Sequence, residues 1–397
     1  MKKTILIFGA GLNQMTLIEA AKTLNLNTIV VDPQKDPPGK KLAHHFYQVA
    51  GDDYQLTKKI AIKHKVDGIV TGQMENPLRI MAKLAQEMGY IFHSPETIEK
   101  STNKHLMKQA FLDAGIPCAK GELIKDGRIL KEHELLEYGY PLIIKPLQAF
   151  SSRGVFRIEN YSDYIQYVPE TLSFTSGKGY LVEEFIEGPE YSVESITYKG
   201  ETHIIQFTEK MITPYPHTVE LGHIQPADLT DSEKSLVSKT VKEAIQALGV
   251  DNSAAHTEFK MKPKEPVIIE IGPRLGGDFI ASYLTNASTG ISMEMAAIQV
   301  SLGMEPGLMI TKHAASGIKY LCLSPGSKVL GINPVIYEVG DHIIMQHIAI
   351  RTGDVIPILS DSAQRSGWVI AQAETREEVE TICFNALSDM KSCITLG

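Results

Sequence analysis

The 397-residue sequence is poor in cysteine. It has four, Cys118, Cys322, Cys383 and Cys393, scattered and with no CxxC pair. That spacing excludes a zinc-ribbon type of site and a disulfide framework, and it suits a reducing compartment. An excess of positive charge is missing too. The net charge is −8 and the sequence pI is near 5.9, which argues against a sequence-independent nucleic-acid binder. No stretch approaches the roughly 20 apolar residues of a membrane span. The opening MKKTILIFGAG carries too short an apolar run for a leader and passes straight into a glycine turn, so it reads as a first strand. There is no internal repeat and no low-complexity tract. The expected protein is cytoplasmic, with neither nucleic acid nor membrane as a partner.

Two phosphate-binding motifs are each incomplete. Thr4–Phe8 (TILIF), GAGLNQ, a helical pattern over Met15–Leu24 and TIVVD ending at Asp32 form a βαβ opening. Asp32 stands where a dinucleotide fold grips a ribose. The third glycine of GxGxxG is absent, however, with Gln14 in its place. A nicotinamide oxidoreductase would rest on this motif alone. Further on, the loop Gln148–Gly154 lies between apolar strands and can fold its N–H groups over phosphates, but it lacks the GKS/T ending of a Walker A sequence.

What is present is 43% hydrophobic and 22% charged residues, the composition of a globular protein with a sizeable core. The length suits about two to four compact units. Further α/β units follow the first: a helix over Tyr54–Lys65, a strand over Gly68–Gly72 and a helix over Glu75–Gly89. Glu75 reads either as a ligand-facing acid at a strand end or as a first-turn acid complementing the helix dipole. From His93 two helices follow, with Lys104 opening the second among polar neighbours. Leu142–Ile144 and Val155–Ile158 are apolar strands. Lys145 ends the first of them, where an unpaired ammonium is expensive, so an anionic partner is expected. Strands over Tyr180–Ile186 and Tyr191–Ile196 enclose an acidic bend carrying Glu183, Glu184, Glu187, Glu190 and Glu194. Some of these fit a solvated edge and others fit recognition of hydroxyls or amines. The stretch EKMITPYPHTVELGHIQPADL has three prolines and reads as a long loop over a cleft, with His217 and His223 in it.

A helix over Asp231–Leu248 then leads to His256–Asp278, HTEFKMKPKEPVIIEIGPRLGGD. The pattern is a β-hairpin. If Glu258 and Glu270 share a face, two carboxylates meet with no evident basic partner. Such a pair needs a cation, and hard oxygen ligands favour Mg²⁺ with substrate phosphates completing the shell. Arg274 offers a planar fork for a phosphate or carboxylate, amid the small residues Gly272, Gly276 and Gly277. Gly307–Gly397 shows short β-type runs and a final helix opened by the capping box TREE at Thr375, a β-rich unit with no obvious chemistry.

Taken in order, Lys104, Lys145, the glycine/serine loop, EEFIEG with Glu190, and Glu258/Glu270/Arg274 resemble the ATP-grasp superfamily of carboxylate–amine ligases. The resemblance spans nearly the whole chain. It implies an α/β and α+β architecture: an N-terminal Rossmann-like pre-ATP-grasp domain (residues 1–95), a two-lobed ATP-grasp domain (96–306, with its lid lobe at about 118–185), and a small β-rich C-terminal domain (307–397). By resemblance, Lys104 and Lys145 contact ATP, Ser151, Ser152 and Gly154 close over its phosphates, and Glu183, Glu184 and Ile186 form the adenine hinge. Glu190 takes the ribose, Glu258 and Glu270 hold Mg²⁺ (or Mn²⁺), and Arg274 holds the acyl substrate or its phosphorylated form. Gly272 stands where many members carry a third metal ligand, Asn. The form EIGPRLGG, together with ELGHIQP, is most similar to the bacterial L-amino-acid ligases of the bacilysin-synthetase type. That implies Glu75, Arg274, Gly276 and Gly277 around the substrates, His223 near the acyl phosphate, small-molecule carboxylate and amine partners, and a homodimer. Two alternatives stay open: an ATP-grasp enzyme of purine-biosynthesis or carbamoyl-phosphate type, and a non-catalytic ATP-binding regulator.

Overall fold

The computed structural model describes residues 2–148, 153–215, 217–263, 265–333 and 342–397, so Ser151 and Ser152 lie outside the described residues. The N-terminal unit is a four-stranded parallel sheet in the order His45–Gln48, Asn27–Asp32, Thr4–Phe8, Gly68–Thr71. Its central strand is apolar throughout (TILIF), because both faces are covered. Ile5 and Ile7 pack toward helix Met15–Thr23, while Leu6 and Phe8 pack toward helices Tyr54–Lys63 and Leu78–Met88. The acid of the βαβ opening has a structural task. Asp32 is buried, and its carboxylate accepts from Ala10 N and Gln34 N, both at 2.7 Å. It braces the GAG turn and the start of the loop after its own strand.

The second sheet has four antiparallel strands, ordered Gly121–Ile124, Tyr180–Glu184, Leu142–Pro146, Phe156–Ile158. Helix Tyr161–Ser173 covers one face, burying Tyr164 and Val168 against Leu142, Ile144, Phe156 and Val182. Each such side chain contributes about 1.5–3 kcal/mol, enough for this small layer to stand up as a lid. Lys145 is still part of its strand, one residue beyond the apolar run.

The largest sheet is antiparallel and eight-stranded, in the order Glu265–Gly272, Ser253–Lys262, Glu190–Tyr198, Glu201–Ile212, Glu220–Gln225, Ala315–Leu321, Gly367–Ala373, Ile343–Ile348. Helices Lys104–Asp113 and Asp231–Leu248 cover the first part through Phe111, Val241 and Ile245. Helix Arg376–Ser392 covers the last part through Val379, Cys383 and Met390. One expectation changes here. The proline-bearing stretch after Thr208 is about half strand: Glu201–Ile212 and Glu220–Gln225 pair as a hairpin, placing His223 in the sheet. Pro214 sits between the strands and Pro226 beyond them, where no ladder hydrogen bond is lost, and Pro216 lies outside the described residues. Three strands of the C-terminal β-rich segment extend the same sheet. Among the described residues no helix is long and apolar enough to cross a membrane.

Candidate active site

A cleft runs between the lid sheet and the eight-stranded sheet. On the lid side, Lys145 and Glu183 stand on paired strands, two positions apart in register, so both side chains leave the same face. Lys145 Nζ lies 2.7 Å from one Glu183 oxygen and Lys108 Nζ lies 3.0 Å from the other. Lys108 also donates to the Ala119 carbonyl. The anionic partner expected for Lys145 is therefore Glu183, itself only 3% exposed. Burial pushes the Glu183 carboxyl upward, but Lys145 and Lys108 overcome this and hold it below the usual carboxylate range. Glu184 accepts from Lys120 N at 3.0 Å, and Ile186 is buried at the lobe junction.

On the opposite side, Glu258 and Glu270 are direct cross-strand partners, with a register shift immediately after Glu258. They meet as expected but do have basic partners. Lys104, at the first position of its helix, donates to Glu270. Lys210 Nζ lies 2.9 Å from Glu258, 2.8 Å from Glu190 and 3.7 Å from Glu220. His256 Nε2 is 3.4 Å from Glu258, and its Nδ1 is 2.5 Å from Glu194. Like charges buried together draw in every available cation. Burial would raise Glu258, yet Lys210 and His256 hold it well below the carboxylate range. His256 is pushed up to about 9, because Glu194 and Glu258 outweigh its burial, so its ring is cationic at neutral pH.

Glu75 precedes helix Leu78–Met88 rather than opening it, and it lines the cleft together with Arg274. Burial, and then the charge of Glu270, raise its carboxyl to about 7. Arg274 spends Nη1 on its neighbour's carbonyl, Leu275 O, at 2.9 Å, while its buried Nε has no hydrogen-bond partner.

Other residues singled out by sequence stand apart from this lining. His223 is 1% exposed, in contact with Asp278 at 3.1 Å, and off the cleft wall. Gly154 turns with φ +71° beneath the lid helix, and its carbonyl accepts from Thr171. Gly276 makes room for Glu194, whose carboxylate would lie 2.5 Å from an added Cβ, whereas Gly277 faces open space.

Several functional side chains carry little or no signal in the sequence. Lys210 falls in a stretch whose prolines suggest a loop, although the argument that flags Lys145, a lysine at an inward strand position, applies to it equally. Glu220 and His256 have no signal of their own. Asp278 and Arg365 pair through two 2.7 Å hydrogen bonds from segments far apart in sequence, which no local pattern reveals.

Residues 138–282 match the ATP-grasp domain model, and residues 1–101 match that of the ribonucleotide synthetase preATP-grasp domain. The chain belongs to the ATP-grasp superfamily. Among curated proteins it is similar to an alanine–anticapsin ligase of Bacillus amyloliquefaciens, 30% identical over 243 residues, covering 55% of this chain and 50% of that protein. The chain thus spans about half the length of the curated ligases it matches first. Two solved structures share its fold over nearly the whole chain. One is an L-amino acid ligase from Bacillus licheniformis (TM-score 0.82, 21% identity, 98% of each chain). The other is a phosphoribosylglycinamide synthetase from Anaerococcus prevotii (TM-score 0.77, 23% identity, 100% of each chain).

ATP and Mg²⁺ are the cofactors of the ATP-grasp family, and the donor set of this cleft fits them. Among the described residues no group of three or more His, Cys, Asp or Glu side chains forms a protein-only metal cage. Mg²⁺ is usually held by one or two carboxylates plus substrate phosphates. Glu258 and Glu270 are such a pair, and carboxylate oxygens also suit Mn²⁺. Gly272, in the usual Asn position, adds no side-chain ligand and instead lies against the Arg274 guanidinium.

Proposed function

We propose that this ATP-grasp protein is an ADP-forming ligase that activates a carboxylate as an acyl phosphate and joins it to an amine, both substrates being amino acids. The observation that carries this reading is Arg274. A guanidinium that makes no ion pair among the described residues lines the same cleft as the Glu258/Glu270 pair and the Lys145–Glu183 couple, so an anion entering the cleft meets an uncompensated cation. The ligases of similar sequence supply the substrate class.

In this scheme Lys145 and Lys104 supply positive charge for phosphate oxygens, and Glu190 takes the ribose. Glu258 and Glu270 would hold Mg²⁺, which when bound neutralises charge on the transferring phosphoryl group. Arg274 orients the carboxylate and then donates to the oxygen that gains charge when the amine attacks. Glu75, whose proton affinity is set by burial and by Glu270, stands on the same wall and faces the substrates. The glycine/serine loop, with the lid, excludes water and protects the activated carboxylate from hydrolysis. His223, braced by Asp278 and off the cleft wall, is assigned an indirect part. The three sequence units at 1–95, 96–306 and 307–397 remain our working division.

The test is ADP and phosphate release against amino acids offered singly and in pairs, with products identified by mass. Release that depends on a particular pair, with a condensed product, supports ligation. Silence with amino acids but release with bicarbonate or a ribonucleotide amine would favour a reaction of the purine-biosynthetic kind instead. Arg274→Ala should lower turnover more than it weakens ATP binding, and equal losses would remove Arg274 from that role.

A further inference from the structure

Lys210 is 8% exposed overall, with its side chain 3% exposed, and it sits among three carboxylates. Two of them, Glu190 and Glu258, are held at hydrogen-bonding distances of 2.8 and 2.9 Å. The third, Glu220, approaches only to 3.7 Å, outside a hydrogen bond. An ammonium has three donors, so this lysine has capacity for the acceptor it does not yet reach. Glu220 is held in place from elsewhere. Its other oxygen accepts from Ser362 Oγ at 2.8 Å, and its main-chain carbonyl lies 3.4 Å from Arg365 Nη1. Arg365 is in turn fixed by the double hydrogen bond to Asp278, with its guanidinium 3.5 Å from the Tyr320 ring centroid. The C-terminal segment therefore builds a rigid carboxylate beside Lys210, on the side away from Glu190 and Glu258.

We propose that Lys210 is a tethered counter-ion of the acidic pair and that Glu220 is the carboxylate to which it transfers when a divalent cation engages Glu258. The inference rests on the reading of this cleft as a metal–nucleotide site. An ammonium and a divalent cation on one carboxylate repel in proportion to the product of their charges, so Lys210 has to leave Glu258. A displacement on the order of 1 Å turns the 3.7 Å approach to Glu220 into a hydrogen bond. Lys210 keeps Glu190 throughout, so the shift is a pivot and not an expulsion. In the metal-free protein Lys210 protects two buried acids from their mutual repulsion, and in the loaded protein Glu220 prevents a buried lysine from being stranded. Ser362 and Arg365 are positioning residues for this exchange.

The experiment is Mn²⁺ binding to the full chain, read by the loss of free-ion electron paramagnetic resonance signal, with and without ADP, alongside ADP titration by calorimetry with and without metal. Glu220→Gln removes the landing place and should weaken Mn²⁺ binding in the presence of ADP by about tenfold, in the usual range for coupled sites, while leaving metal-free ADP affinity within about twofold. Ser362→Ala should act in the same direction by about threefold. Lys210→Met removes the competing cation, so it should tighten Mn²⁺ binding without nucleotide and lower the melting temperature of the metal-free protein, with Mn²⁺ restoring it. A Lys210→Met protein that loses ADP affinity equally with and without metal would make Lys210 a simple phosphate ligand and overturn the proposal. Unchanged Mn²⁺ affinity in Glu220→Gln overturns it independently, and that variant decides the matter if Lys210→Met does not fold. Wild-type protein that binds neither ADP nor Mn²⁺ with ADP sinks the reading of the cleft itself; normal wild-type binding with unaffected variants sinks only the transfer.

Discussion

Replacing Glu183 by Gln removes one charge at nearly constant volume and leaves Lys108 and Lys145, each 8% exposed, facing one another across a neutral amide. Deleting one partner of a buried ion pair costs about 3–5 kcal/mol. The lower end applies here for two reasons. Lys108 keeps the Ala119 carbonyl. Burial and the neighbouring Lys108 and Lys104 already draw Lys145 below the usual lysine range, which lowers the cost of leaving it without its acid. A loss of about 3 kcal/mol corresponds to roughly 6–12 °C in melting temperature for a unit of 150–250 residues. Calorimetry would measure it, and hydrogen exchange over Leu142–Pro146 and Tyr180–Glu184 would locate it in the lid. The deficit should shrink as pH rises, because Lys145 gives up its proton more readily than an ordinary lysine, and Glu183→Gln/Lys145→Met should recover part of the loss. In the wild type the sign with pH runs the other way. Glu183 has a depressed folded-state pKa, so its contribution is fully present above the ordinary unfolded value of about 4.3 and is lost as pH falls through the lower folded value. A Glu183→Gln protein that melts within about 2 °C of wild type, with unchanged lid exchange, would falsify the view that this triad fixes the lid.

Glu75 behaves oppositely. Its folded pKa is raised to about 7, so the folded state holds a proton that the unfolded chain releases near 4.3, and relative stability declines as pH rises from about 4.3 to about 7. Glu75→Gln should therefore raise the melting temperature of the metal-free protein at alkaline pH and change little at acid pH, as a pH series of melts would show. Gly276→Ala places a Cβ 2.5 Å from the Glu194 carboxylate and should push it off His256. The His256 pKa, followed by NMR, should then fall from about 9 toward the ordinary imidazole value, with about 1–3 kcal/mol lost to overpacking; an unmoved His256 titration would show that the turn simply yields. Arg365→Ala leaves the partly exposed Asp278 with His223 alone and should cost about 1.5–3 kcal/mol, with faster exchange in Glu220–Gln225; Arg365→Lys, which keeps the charge but not the fork, should recover only part.

Much of the site is legible because its residues carry anomalies that a string of letters displays. Lys145 beside an apolar strand demands an acid, and Glu183 is there. Glu258 and Glu270 sit at matched positions on a hairpin, and the register pairs them. Asp32 misleads, since an acid after the second strand of a βαβ unit serves a ribose in one fold and a backbone turn in another, and only the missing third glycine separates the two. The stretch after Thr208 misleads as well, because three prolines suggest a loop although Pro214 and Pro226 lie outside the paired strands. Arg365 cannot be found at all. Its partner Asp278 is brought to it by sheet pairing across most of the C-terminal half, and pairing of that range leaves no local periodicity.

The eight-stranded sheet does not respect the change in sequence texture near residue 306. Glu220–Gln225 gives its second edge to Ala315–Leu321 from the C-terminal segment. A chain cut at that point would present a bare strand edge, an open template for sticking to other chains, and would also lose the arginine that holds Asp278. The last segment is therefore neither a removable appendage nor a cassette that could be exchanged whole between relatives. Recombination at this border would yield insoluble chimeras unless the donor strand and its arginine travelled together with the acceptor strand and its aspartate. In heredity as in hydrogen bonding, the two halves of this sheet form one transmissible unit.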